Sequence, residues 1–504
     1  MDKRIRNAKL NILSSLALQV VTVICGLLVP RLLLQAFRSE IYGATTSITQ
    51  FLSYIALLEG GIGGVARSAL YKPLAEGDNR ALSAVVNEIK RFFFTVGCVF
   101  LLYVLILSVS FKSIARIEVL DWLSTVLLVW AISFSSFLQY FIGLPYGLLL
   151  QADQKNYISA FFSIISTIAN AVLVYYLVNQ NCSIIVIKYV SSLVFATKPI
   201  LQNLYVKSHY QLVKTERASN VLTQKWTGLG QHLAYFVHTN TDVVVLTLFA
   251  DLKTVAVYGI YHMVIANIQN LTAAFSSGME ALFGELYAKN ERLKLIRLFS
   301  YYETLISVVT VALFSTTCIM IIPFIKLYTQ GVDDNNYIAP LFSVILLVSA
   351  VLYCLRLPYH NLVIAAGKFK ETKMAAYGEA FINIVISIIL VIKIKLIGVA
   401  IGTLVATSFR FVYYAFFLSK NIINRSLSIV IARMLVNMIT FVIIAFGGFA
   451  VVSKTNVTSY LQWGFVSLIV FIVSVVITVG ANWLIYSEDV ESIWKYIVRK
   501  VFRS

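Results

Sequence analysis

Hydrophobic side chains run through this 504-residue chain in long blocks rather than in alternating or one-faced patterns. Blocks of about 20 apolar residues match ~30 Å of hydrocarbon crossed at 1.5 Å per helical residue. Fourteen such blocks stand out, at roughly 11–35, 41–66, 92–111, 122–148, 157–178, 183–205, 227–249, 255–281, 298–322, 337–364, 374–393, 396–419, 429–452 and 460–485. The segments between them are short, the longest being 67–91 and 206–226, so no soluble domain interrupts the series. The pattern predicts an all-α polytopic membrane protein. The closing stretch 487–504 reads as a cytoplasmic tail, and Ile493, Trp494, Ile497, Val498 and Val501 would share one face of an interfacial helix there.

The blocks repeat. Residues 145–177 and 358–390 align without a gap 213 positions apart, matching at Pro145/Pro358, Tyr146/Tyr359, Leu149/Leu362, Ala152/Ala365, Lys155/Lys368, Asn170/Asn383, Val172/Val385 and Leu177/Leu390. A second pairing, 216 positions apart, sets Tyr42-Gly43 on Tyr258-Gly259. Agreement between the two spacings predicts a duplicated unit of six spans. An even number keeps both copies in the same orientation, as in transporters whose substrate path runs between parallel repeats. The expected organisation is a six-helix lobe over 1–210, a second over 211–425, two additional spans over 426–486, and the tail.

Composition agrees. The chain is 59% hydrophobic and 13% charged, with a mean hydropathy of +0.83. The net charge of +18 could suggest nucleic acid, but the basic residues lie in short segments beside the blocks, where they act as topology signals. With the N-terminus inside, 28 Lys and Arg fall on the inner side, nine on the outer side and four within spans. Both termini are therefore expected in the cytoplasm. The five cysteines are scattered without CxxC spacing, so neither a disulfide framework nor a metal site follows. No nucleophile motif, zinc motif or phosphate-cradling loop is present, so no catalytic residue and no cofactor is expected. Asn456-Val457-Thr458 matches a glycosylation sequon.

Charges inside the spans each need a reason, since one at mid-bilayer costs ~2.5–3.5 kcal/mol on the mildest scale. The cations are Lys188, Lys198, Arg356 and Arg410, with Arg31 near the outer end of span 1. The acids include Glu59, Asp242 and Glu379, while Glu280 and Glu303 fall near the inner surface. Cations lining a path suit an anionic substrate, Arg gripping phosphate as a fork and Lys as a point charge. The acids would serve either as ion-pair partners for those cations or as ligands for a coupling ion, H+ or Na+.

Four segments carry a resemblance: NAKLNILSSLALQVVTVICGLLVPRLLL at the start, YGLLLQADQKNYIS (146–159), PFIKLYTQGVDDNNYIAPLF (323–342) and LRLPYHNLVIAAGKFKETK (355–373). In this order they resemble the polysaccharide-export and O-antigen flippases of the multidrug/oligosaccharidyl-lipid/polysaccharide superfamily. The resemblance implies two lobes around a central cavity and alternating access. It implies transfer of an undecaprenyl-diphosphate-linked oligosaccharide across the bacterial inner membrane for surface polysaccharide biosynthesis, with a polysaccharide polymerase and other assembly proteins as partners. It also implies cavity cations for the diphosphate, a role that Arg356 and Arg410 fit by position. Two other readings stay open at this point: a cation-coupled drug exporter of the same fold, and a membrane-embedded polysaccharide polymerase.

Overall fold

The computed structural model describes residues 2–59, 62–213, 229–276, 279–455 and 457–491. Gly60-Gly61, the segment 214–226, the sequon residue Asn456 and the tail face from Ile493 onward lie outside these residues. Helix accounts for nearly all of the described chain, and no strand occurs in it. The helices are α1 (Asp2–Ser53), α2 (Ile62–Glu76), α3 (Asn79–Ala115), α4 (Trp122–Leu138), α5 (Leu144–Ala152), α6 (Asn156–Asn179), α7 (Ile184–His209) and α8 (Leu229–Phe249). They continue as α9 (Leu252–Ala274), α10 (Met279–Ala288), α11 (Arg292–Tyr328), α12 (Pro340–Leu355), α13 (Leu357–Ala365), α14 (Phe369–Asn421), α15 (Leu427–Val452) and α16 (Tyr460–Ile485).

Among the described residues, helix makes up most of each of the fourteen expected spans, with a break at 275–276 and a non-helical start at 337–339. Two expected boundaries are kinks rather than loops: α1 carries spans 1 and 2 across Arg38 (φ 64°), and α14 carries spans 11 and 12 across Ile394 and Lys395 (φ 41°). Ten helices among the described residues are long and apolar enough to cross a membrane. Where a loop does intervene, a short polar side chain starts the next helix. Asp78 accepts from the amides of Arg80 and Ala81, Asp121 from Ser124, Ser183 from Val186 and Ser459 from Gln462. Each satisfies a backbone donor that the first helical turn leaves open.

The chain divides into two compact units, Met1–Ala256 and Val257–Ser504. In the first, α1 packs along α6, α4 along α7, and α6 along α7, with α8 set against α1. In the second, α11 is the central post, in contact with α12, α15 and α16, while α12 packs on α14. Leucine is no more apolar than lipid, so burial alone gives little drive for helices to associate; small residues and hydroxyl bonds matter more. In the first unit Ser47 meets Thr247 at 2.7 Å, and Ser192 donates to the Ala131 carbonyl. In the second, Asn383 donates to Thr403 at 3.0 Å, and Ser349 meets Thr407 at 3.3 Å. A Cβ on Gly402 would sit 2.1 Å from the Ser387 hydroxyl, so glycine there sets how closely the two halves of α14 approach. Apolar side chains cover the outside instead: Ile12, Leu16, Val20, Ile24 and Leu28 form an exposed stripe at four-residue spacing along α1.

The repeat is visible in backbone geometry. Gln154 and Gly367, 213 positions apart, both take left-handed conformations (φ 56° and +69°). Around them the same three bonds recur at the same offset: Asp153 to Leu149 and Ala366 to Leu362, Gln154 to Gln151 and Gly367 to Ile364, Lys155 to Leu150 and Lys368 to Val363. This turn closes span 4 in the first unit and span 10 in the second, after a break just upstream of the matched Pro-Tyr pair. The break is a π turn at Gln139–Gly143 in one copy and a helix interruption at Arg356 in the other.

Candidate functional site

Arg356, Glu379 and Arg410 come together inside the second unit. Arg356 caps the C-terminus of α12, and Glu379 and Arg410 lie on the two halves of α14. Arg356 Nη1 donates to Glu379 Oε1 at 2.7 Å, and Arg410 Nη1 donates to Glu379 Oε2. The three residues are 4%, 0% and 3% exposed. Each guanidinium also lies near an aromatic ring, Arg356 4.9 Å from Tyr353 and Arg410 5.4 Å from Tyr414. Both oxygens of Glu379 accept from arginine, so the acid stands as an ion-pair partner. A proton would have to displace two guanidinium contacts to reach it.

The first unit differs at the same places. Stepping back 213 positions from Arg356, His360, Glu379 and Arg410 leads to Gly143, Gly147, Ser166 and Thr197. Ser166 and Thr197 are in contact at 3.1 Å, as Glu379 and Arg410 are in the other copy. Of these four, Gly147 borders open space, whereas Gly143 is closely packed against Gln139 and Pro199. Beside Thr197, Lys198 lines a cavity of about 370 Å³ together with Gln19, Gln139, Gly147, Gln151 and Gln202. Gln202 is 2% exposed and donates to Ser159 at 2.9 Å, while its Oε1 is buried with no hydrogen-bond partner. Ten residues earlier on α7, Lys188 lines a second cavity of about 430 Å³, with Thr49, Ser135, Ser136, Tyr140 and Ser191. Neither lysine makes an ion pair or hydrogen bond with a described residue. At 1.5 Å per residue the two backbone positions are set about 15 Å apart along one helix.

The other expected residues are placed as follows. Glu59 ends a short 3₁₀ turn and accepts from the Tyr140 hydroxyl at 2.6 Å, next to the Lys188 cavity. Asp242 lies on α8 in the first unit, 3% exposed. Arg31 is half-buried on α1, seven residues before the Arg38 kink.

Sequence reasoning missed a second charge network. Glu303 on α11 accepts from Arg425 at 2.6 and 3.0 Å and from the Tyr359 hydroxyl, and it pairs by charge with Arg433, whose Nε lies 3.3 Å away without donating to it. Arg433, on α15, also reaches Asp489 at 2.6 Å, Thr304 at 2.6 Å and Ser300 at 2.8 Å. Asp489 itself accepts from Ser300 and Thr304. Two arginines and two carboxylates balance, and together they fasten α15 and the segment after α16 to α11. A separate groove of about 370 Å³ opens between α12 and α15, lined by Val344, Val348, Met438, Phe441 and Phe446 and almost wholly apolar.

No protein-family model matches the chain, and no curated protein matches it. Solved structures do. A structure titled lipid II flippase MurJ in an inward closed conformation superposes with a TM-score of 0.67, at 16% identity over 92% of this chain and 98% of that one. An inward-facing multidrug resistance MATE family transporter of the MOP superfamily gives 0.65, at 14% identity over 79% and 95%. The MATE multidrug transporter DinF-BH, in complex with R6G, gives 0.59, at 14% identity over 82% and 95%. At such identities the likeness establishes the fold. The chain is a multi-pass membrane protein that shares the fold of these solved structures.

Proposed function

We propose that this chain is a flippase for an undecaprenyl-diphosphate-linked oligosaccharide, acting by alternating access in the bacterial cytoplasmic membrane during surface polysaccharide biosynthesis. The observation that carries the reading is the pair of lysine cavities on α7. An ammonium group without an acid partner, in a cavity of hydroxyls and amides, suits an anion that also presents sugar hydroxyls. The apolar groove between α12 and α15 is chemically suited to a polyprenyl chain. A drug exporter for organic cations would need accessible acids, whereas Glu379 and Glu303 are engaged by arginine. We accordingly assign the headgroup to Lys188 and Lys198, and read Arg356, Arg410 and Glu379 as an internal ion-pair cluster. Of the acids, Asp242 is the one we assign to a coupling ion, H+ or Na+. Both termini lie in the cytoplasm in this reading, and the polymerase and other assembly proteins would act on the product side.

The test is complementation of a strain lacking its own flippase. Lys188→Ala and Lys198→Ala should abolish surface polysaccharide at normal membrane abundance, and Lys→Arg should retain part of it. Normal export by both Ala variants would overturn the assignment.

A further inference from the structure

We propose that the second unit holds a binding site for a small monovalent anion, of the halide type, at the Arg356–Glu379–Arg410 cluster. Two guanidinium groups surround one carboxylate, and all three residues are less than 5% exposed. The cluster therefore carries one positive charge more than its described groups cancel. A buried, uncompensated charge is expensive enough that proteins pair it or neutralise it, and arginine does not give up its proton. The neighbouring network cannot lend an acid, because Glu303 and Asp489 are already matched by Arg425 and Arg433.

Geometry supplies the donors. Arg356 and His360 are four residues apart on consecutive helical turns, and Arg410 and Tyr414 are four apart on α14, so each pair shares one helix face. The rings of His360 and Tyr414 lie 5.7 Å apart, which brings the two faces together. Three polar atoms at this junction, Arg410 Nε, Tyr414 Oη and His360 Nδ1, are buried without a hydrogen bond of ordinary geometry, the Tyr414 hydroxyl lying against the Arg410 guanidinium. The first two are N–H and O–H donors, and the imidazole nitrogen is a third in the matching tautomer. Such a set suits a ligand that only accepts and carries one negative charge. Water could satisfy the donors but would leave the charge. A lipid-linked diphosphate shares the anion chemistry, but it is too bulky to reach side chains this enclosed while the unit keeps this packing. The inference does not depend on what the chain transports.

The full-length protein, purified in detergent, should be melted by tryptophan fluorescence at constant ionic strength in sodium chloride, sodium gluconate and sodium phosphate. Chloride should raise the midpoint saturably, as a ligand of the folded state does. Gluconate, too large for the cluster, should not. In Arg356→Gln the remaining Arg410–Glu379 pair is already neutral, so the chloride response should vanish. As a reading that needs no variant, ³⁵Cl NMR of the wild-type protein should show excess line width that bromide competes away. Equal midpoints in chloride and gluconate without line broadening would overturn the site. So would a full chloride response in Arg356→Gln. Stabilisation by phosphate alone would assign the surplus charge to a phosphate headgroup and overturn the halide.

Discussion

Replacing Glu303 by Gln tests how the last two spans are fastened to the second unit. The side chain is 4% exposed and receives four contacts, two from Arg425, one from Arg433 and one from Tyr359. Glutamine keeps the shape but turns one acceptor into a donor and shifts the network from neutral to one surplus positive charge. Removing one partner of a buried ion pair costs about 3–5 kcal/mol, much of it the penalty on the charge left behind. The double variant Glu303→Gln/Arg425→Gln restores neutrality, so its cost should fall short of the sum of the singles, with a coupling of up to ~3 kcal/mol. A thiol-reactive dye gives the readout. Cys318 and Cys354 are 4% and 0% exposed and both lie in the second unit. With Cys25, Cys98 and Cys182 replaced by Ser, the labelling midpoint reports unfolding of that unit alone. A Glu303→Gln midpoint equal to that of the parent, or strict additivity in the double variant, would refute the reasoning.

Two further predictions concern the repeat and the topology. Gln154 holds a left-handed conformation that costs a non-glycine residue about 1–2 kcal/mol, and its repeat partner is glycine, so Gln154→Gly should stabilise the first unit by about 1 kcal/mol while Gly367→Ala destabilises the second; melting curves that move the other way would contradict the shared turn. A cysteine introduced at Asn79, in a background whose exposed Cys98 has been replaced, should react with a membrane-impermeant maleimide only after cells are opened, and labelling of intact cells would overturn the orientation.

The spans were legible because length and apolarity are one-dimensional properties. The Pro-Tyr repeat was legible because its turn demands particular residues: a chain reversal closed by a left-handed residue, with Lys155 and Lys368 next in line, leaves matching letters in both copies. Two loops were overcounted for a physical reason. Polar residues at Arg38 and at Lys395 mark kinks that helical backbone runs through, and composition does not distinguish a kink from a short loop.

Charge partnership was not legible. Arg433 reads as a basic residue at the inner end of a span, yet it is 7% exposed and gripped by Asp489, 56 residues later. Arg356, Glu379 and Arg410 were each conspicuous in sequence, but nothing in their spacing of 23 and 31 residues fixes that one carboxylate bridges both arginines. The lysine cavities depended on what is missing. Gly147 lines the Lys198 cavity where His360 stands in the other copy, and that contrast becomes meaningful only once Ser166 and Thr197 are known to touch as Glu379 and Arg410 do.

Transfer measured in proteoliposomes tests the central claim most directly. The purified chain, reconstituted with a fluorescent undecaprenyl-diphosphate oligosaccharide, should move the lipid between leaflets, as scored by access of an added glycosidase. The account predicts transfer by the wild type, loss of at least ten-fold in Lys188→Ala/Lys198→Ala, and no transfer of the same oligosaccharide on an uncharged polyprenyl ether. Equal transfer of the charged and uncharged lipids, or full activity without the two lysines, would contradict it.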